Sequence, residues 1–96
     1  MAELLDDEAL KTALHGLPGW HGDRAAITRT VTIPAGEQPA LLEELERIAR
    51  ELNHDPDLDI AGDEVTIMMS THSAGGVTNL DVEYAHRIEG LLAPAD

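Results

Sequence analysis

No cysteine occurs in the 96-residue chain, so disulfide bonds and thiolate chemistry are excluded. Phenylalanine is absent too, and Trp20 and Tyr84 are the only other large aromatics. A core must therefore be assembled from Leu, Ile, Val, Ala and Met, the larger of which contribute roughly 1.5 to 3 kcal/mol each on burial. Basic residues are scarce: 6 Lys and Arg stand against 19 Asp and Glu, a formal net charge of −13. Such a chain repels a phosphate backbone and an anionic leaflet alike, so neither nucleic acid nor a membrane is expected as a partner. No apolar run approaches the roughly 18 residues of a spanning helix, and the opening MAELLDDEAL lacks the basic and apolar regions of a secretory signal. The expectation is a soluble, cytoplasmic protein.

Repeats, low-complexity tracts and long Gly/Ser linkers are missing as well, which leaves a single domain over residues 1–96. A chain of this length buries only about 60 to 65% of its unfolded surface, so self-association is a reasonable expectation.

Apolar periodicity then orders the chain. Leu4, Leu5, Ala9, Leu10 and Leu14 predict a helix over 4–15, with acids at its front where the helix dipole favours them. AAITRTVTI, residues 25–33, is rich in β-branched residues and predicts a strand with Ile27, Val31 and Ile33 on one face and Thr28, Thr30 and Thr32 on the other. After the turn PAGEQP, Pro39 suits a first helical turn, and Leu41, Leu45, Ile48 and Leu52 recur at spacings of four, three and four. DLDIA and EVTIMMSTH, joined by Gly62-Asp63, read as a β-hairpin with Val65, Ile67 and Met69 inward. Thr78 to Asp81 fits a capping box, and Leu80, Tyr84, Ile88 and Leu91 form the stripe of a last helix. The order helix, one or two strands, helix, two strands, helix implies an α+β fold with helices covering one face of a sheet.

The stretch from Glu51 to Glu64, ELNHDPDLDIAGDE, concentrates acids around His54. Asp55, Asp57 and Asp59 alternate like the opening ligands of an EF-hand loop, but the required glycine is Ile60 and the closing glutamate is Thr66. His54, His72 and Asp55 could form an open three-ligand metal face, yet no HExxH spacing calls for one. Acid/base chemistry is the third reading. Histidine suits it because a pKa of about 6.5 keeps both protonation states available near neutrality. His15, His21 and His86 have no motif around them and read as surface imidazoles.

NHDPDL (residues 53–58), VTIMMSTHSAGG (65–76) and VTNLD (77–81), preceded by Gly19-Trp20, resemble the pterin-4a-carbinolamine dehydratase family. The spacing from His54 to His72 is similar to the family's, and Asp81 falls where its signature closes on an aspartate. The resemblance implies a four-stranded antiparallel sheet with helices packed on one face, assembled into a homodimer or homotetramer. It also implies dehydration of a 4a-hydroxytetrahydropterin to the quinonoid dihydropterin that is reduced and reused by aromatic amino acid hydroxylases. Neither cofactor nor metal is expected. By the same resemblance His54, Asp55 and His72 are the catalytic candidates, and Trp20, Asn53, Pro56, Ser70, Thr71 and Ser73 the substrate-binding ones.

Three positions depart from the family pattern: Asp55 replaces the second histidine of a pair, Arg50 an acid four positions before the first, and Gly62 an aromatic. They leave open a second reading, a non-catalytic dimeric scaffold or regulatory module that keeps the fold.

Overall fold

A computed structural model describes residues 3–92. Its elements are α1 (Asp7–His15), β1 (His21–Gly22), β2 (Ile27–Thr32), α2 (Gln38–Leu52), β3 (Asp57–Ala61), β4 (Glu64–Met69) and α3 (Asn79–Leu92). The four strands form one antiparallel sheet in the order β1-β2-β4-β3, so β4 inserts between two strands that α2 separates in the chain. Ile27, Val65, Ile67 and Met69 on one face of the sheet are fully buried and join Leu10, Leu17, Leu45, Ile48, Tyr84 and Ile88 in a single core. On the opposite face Thr30, Thr32, Glu64 and Met68 are exposed. Helices on one face of an antiparallel sheet is thus the arrangement found, as the α+β expectation required.

Local differences from the expected elements have local causes. The first helix begins at Asp7, because Asp6 takes the N-cap position and its Oδ1 accepts from Ala9 N at 2.8 Å. Leu4 and Leu5 instead run alongside the start of α3, with Leu5 N donating to Val77 O at 3.0 Å. Ala25 and Ala26 lie outside β2: their amides are drawn to Asp23 Oδ1 in a turn that also sets the short strand β1. A 3-10 turn at Ala35–Glu37 precedes α2. Gln38 there donates from Nε2 to Ile33 O (3.0 Å) and Gly62 O (2.7 Å), clamping the tip of the β3–β4 hairpin to the start of α2.

Arg29 is the polar exception on the core-facing side of β2. Its Nε lies 3.1 Å from Glu89 Oε2, which also accepts from Trp20 Nε1 at 2.9 Å. The guanidinium lies across Gly19, where a Cβ would fall 1.7 Å from Arg29 Nη1 and where φ is +91°. Gly19 and Trp20 therefore serve one structure: the glycine admits the arginine and the indole is tied to the same carboxylate.

Candidate active site

α2 ends at Leu52, and Asn53 caps it in the left-handed conformation (φ 51°, ψ 48°). Asparagine tolerates that region better than most residues, and the reversal it makes turns the chain back so that His54 faces the core side of α3. His54 is only 10% exposed and its Nε2 lies 2.5 Å from Oδ1 of Asp81, a carboxylate with no solvent exposure.

Asp81 occupies the buried side of α3. Its second oxygen, Oδ2, accepts from the Thr78 amide and the Thr71 hydroxyl, both at 2.8 Å. The first bond is half of the expected capping box; Thr78 Oγ1 accepts from Leu80 N at 3.2 Å. Because the Thr71 proton points at Asp81, Thr78 must donate to Thr71 across their 2.8 Å contact. A carboxylate only accepts, so Nε2 of His54 carries a proton and Nδ1 is left as the ring's other polar atom. Among the described residues Nδ1 has no hydrogen-bond partner. Behind the imidazole, Tyr84 packs edge-on with centroids 6.4 Å apart, its hydroxyl donating to Leu45 O. Burial, aided by the negative charge of Asp55, pushes the Tyr84 phenol up to about 12.

A cavity of about 390 Å³ opens beside His54, lined by Asn53, His54, Asp55, Asp57, Ser70, Thr71, His72 and Ser73. Its far wall is held by backbone pairing of Thr71 with Gly76, by Ser70 Oγ donating to Ala25 O (2.8 Å) and by Val77 N donating to Arg24 O (2.8 Å). Gly76 fits there because a Cβ would lie 2.4 Å from Arg24 O. His72 sits on an exposed 3-10 turn, His72–Ala74, at the rim.

The structure thus brings together seven of the nine residues singled out from the sequence: Asn53, His54, Asp55, Ser70, Thr71, His72 and Ser73. Trp20 is placed elsewhere, 5% exposed in the core and bonded to Glu89 rather than lying over the cavity. Pro56 lines a neighbouring apolar groove of about 400 Å³ with Leu42, Leu45, Ala49 and Leu58, a groove that shares Asp55 with the cavity. Arg50 turns away to Glu46 at 3.3 Å, and Gly62 stands in the hairpin turn beyond β3, at the opposite end of that strand from His54. Asp57 and Asp59 belong to a paired strand, not to a cation-binding loop. Sequence reasoning had Asp81 as a helix cap and as the close of the family signature, and Thr78 as a helix start, but missed their bonds to His54 and Thr71.

A family model described as pterin 4 alpha carbinolamine dehydratase matches residues 3–91. This chain belongs to that family. Its named reaction is a dehydration, which makes the family one of hydro-lyases. A Nocardia farcinica protein named "Putative pterin-4-alpha-carbinolamine dehydratase" is 42% identical over 92 residues, covering 93% of this chain and 95% of its own. A Mycobacteroides abscessus protein of the same name is 38% identical over 89 residues, covering 90% and 93%. Among solved structures, a transcriptional coactivator/pterin dehydratase from Brucella melitensis superposes with a TM-score of 0.87 at 28% identity, covering 93% of this chain and 98% of that one. Pterin dehydratase relatives therefore share both sequence and fold with this chain over nearly its whole length. No helix among the described residues is long and apolar enough to cross a membrane.

Proposed function

We propose that the chain is a working pterin-4a-carbinolamine dehydratase that uses His54 and His72 as its acid/base pair. The reaction breaks N5–H and C4a–O, forms the C4a=N5 double bond and releases water, so it needs one group to accept a proton and another to deliver one. His54, with Nε2–H committed to Asp81, offers the Nδ1 lone pair to the N5 proton, and Asp81 stabilises the imidazolium that results. His72, at the open rim, protonates the departing 4a-hydroxyl. Asp55 stands where a second histidine is usual and orients the hydroxyl as a hydrogen-bond acceptor. Asn53, Ser70, Thr71 and Ser73 supply polar contacts to the ring, whereas Trp20 and Pro56 act outside the cavity.

The observation that carries this reading is the buried Asp81–His54 bond opening onto a cavity that His72 also lines. An imidazole held in one tautomer against a buried carboxylate is a costly arrangement for a scaffold to keep. The test is the rate of dehydration of freshly generated 4a-hydroxytetrahydropterin against a protein-free blank. Acceleration lost in both His54→Ala and His72→Ala is expected; no acceleration by the unaltered chain would favour the scaffold reading.

The product would be the quinonoid dihydropterin of tetrahydropterin recycling, formed in the cytoplasm. Assembly into a homodimer or homotetramer accompanies this reading. β3 is an edge strand whose Leu58 (41%) and Ile60 (43%) remain exposed on the face that carries the core. A second copy pairing along β3 would cover both and the groove beside them. Ile60→Lys should then halve the sedimenting mass of a dimer, and a chain already monomeric at micromolar concentration would rule the dimer out.

A further inference from the structure

Thr71 lines the cavity, and Thr78 stands behind it without solvent exposure. The Thr78 backbone is held by a bridge to Leu4 and by its amide, which donates to Asp81 Oδ2 at 2.8 Å. Its hydroxyl makes two further contacts, and their protons have one order. Leu80 N donates to Thr78 Oγ1 (3.2 Å), the Thr78 proton goes to Thr71 Oγ1 (2.8 Å), and the Thr71 proton goes to Asp81 Oδ2 (2.8 Å). On the other side of the carboxylate, Oδ1 receives Nε2–H of His54. A directed chain of donors thus runs from the first turn of α3 to the partner of the imidazole, with Thr71 5% exposed and Thr78 and Asp81 not at all. Capping a helix requires only that the hydroxyl accept from a helix amide. The onward donation to Thr71 is additional to that task.

Resting on the dehydratase reading above, we infer that Thr78 is a positioning residue for the reaction: by donating to Thr71 it sets how far the Asp81 charge is compensated, and so how tightly Asp81 holds His54 as imidazolium. In a low-dielectric interior each hydrogen bond polarises the next, so the Thr78 hydroxyl strengthens the Thr71–Asp81 bond without touching the carboxylate itself. A carboxylate with weaker donors favours the protonated imidazole beside it more strongly. His54 would then keep its second proton to higher pH and be less often free to take one from N5. The other titratable groups facing His54 are Tyr84 on α3, Asp55 at the corner, Asp57 on β3 and His72 on the rim. In the last turn of α2, Arg50 is engaged by Glu46, and Glu51 by Arg47 and Arg87. Among the described residues the Thr78 hydroxyl bonds to Thr71 and Leu80 alone, so a change there reaches His54 by way of Thr71 and Asp81.

Thr78→Val keeps the branched shape and the amide but removes the hydroxyl, and Thr78→Ser keeps the hydroxyl. Nitrogen NMR of the His54 ring in the full chain follows its titration without any substrate. The midpoint should rise in Thr78→Val by about 0.2 to 0.5 pH unit, rise further in Thr71→Val, and stay near the unaltered value in Thr78→Ser. In dehydration corrected for the protein-free blank, the acid limb of kcat/KM should move up by the same amount, while the alkaline limb given to His72 stays in place. A threonine that only capped α3 would lower the melting temperature and move neither midpoint nor limb. An unmoved midpoint in folded Thr78→Val, or in Thr71→Val if the first variant does not fold, would overturn the positioning role. A midpoint that moves in a chain giving no acceleration over the blank would overturn the dehydratase reading and leave the hold of Thr78 on His54 standing.

Discussion

Asp81 holds His54 across 27 positions of sequence, from the first turn of the last helix to the second residue beyond the end of the longest one. With no solvent on the carboxylate, removing its charge disturbs three donors at once. Asp81→Asn should therefore destabilise the fold by roughly 2 to 4 kcal/mol in urea unfolding and abolish dehydration together with it. Thr71→Val, which removes one donor, should cost about 1 to 2 kcal/mol and lower turnover with little change in KM. Full activity in Asp81→Asn would refute the role given to this carboxylate.

Tyr84 supplies a pH dependence. Its phenol is raised from an ordinary 10.0 to about 12 chiefly by burial, so folding favours the neutral form. That stabilisation is complete below pH 10 and disappears as pH climbs from 10 toward 12. Urea midpoints measured from pH 9 to 11.5 should fall steeply in the upper part of this range, and Tyr84→Phe should flatten that segment while losing one hydrogen bond, about 1 kcal/mol, at neutral pH.

Two glycines should respond in opposite directions to alanine. At Gly76 a Cβ would press on Arg24 O at 2.4 Å, and the wall that carries His72 would have to move. Gly76→Ala is expected to cost about 1 to 3 kcal/mol. Gly90, within α3 and with nothing within 4 Å of its would-be Cβ, should gain about 0.5 to 1 kcal/mol as alanine. Paired thermal melts of the two variants decide the matter.

Trp20 offers a convenient control. Because the indole is buried and bonded to Glu89, its emission should stay unshifted when a reduced pterin saturates the cavity, and Glu89→Gln should perturb it. Trp20→Phe should lower stability and leave KM near its original value. A large spectral change on pterin binding would return Trp20 to the ligand.

Much of the architecture was legible because it is written in local periodicity. The Leu41, Leu45, Ile48 and Leu52 stripe lies within α2 as expected, and Val65, Ile67 and Met69 point inward from β4. The strand end at Ser70 and Thr71 and the corner at Asn53 and His54 were legible through resemblance, and the structure brings them to one cavity. What escaped was long-range or context-bound. A carboxylate on the buried side of α3 reads locally as a capping residue, and nothing in the pattern of α3 announces that His54 will meet it. Asp6 displaced the helix start from Leu4 because a cap outweighs apolar spacing at a terminus. Trp20 was placed at the substrate by resemblance, whereas in a core this poor in aromatics its bulk is used inside.

The Gln38 clamp has a mechanical consequence. With the side-chain amide holding Gly62 O and Ile33 O, and Ile33 N bonded to Asp63 O at 2.7 Å, the β3–β4 hairpin is pinned at its tip. Added to the β2–β4 and β3–β4 ladders, this fixes the turn of the hairpin to α2, while its opposite end, where β3 begins at Asp57 and β4 gives way to Ser70, borders the cavity. Turn and cavity thus stand at opposite ends of one hairpin, so a change at Gln38 or Gly62 reaches the cavity residues only through the length of two paired strands.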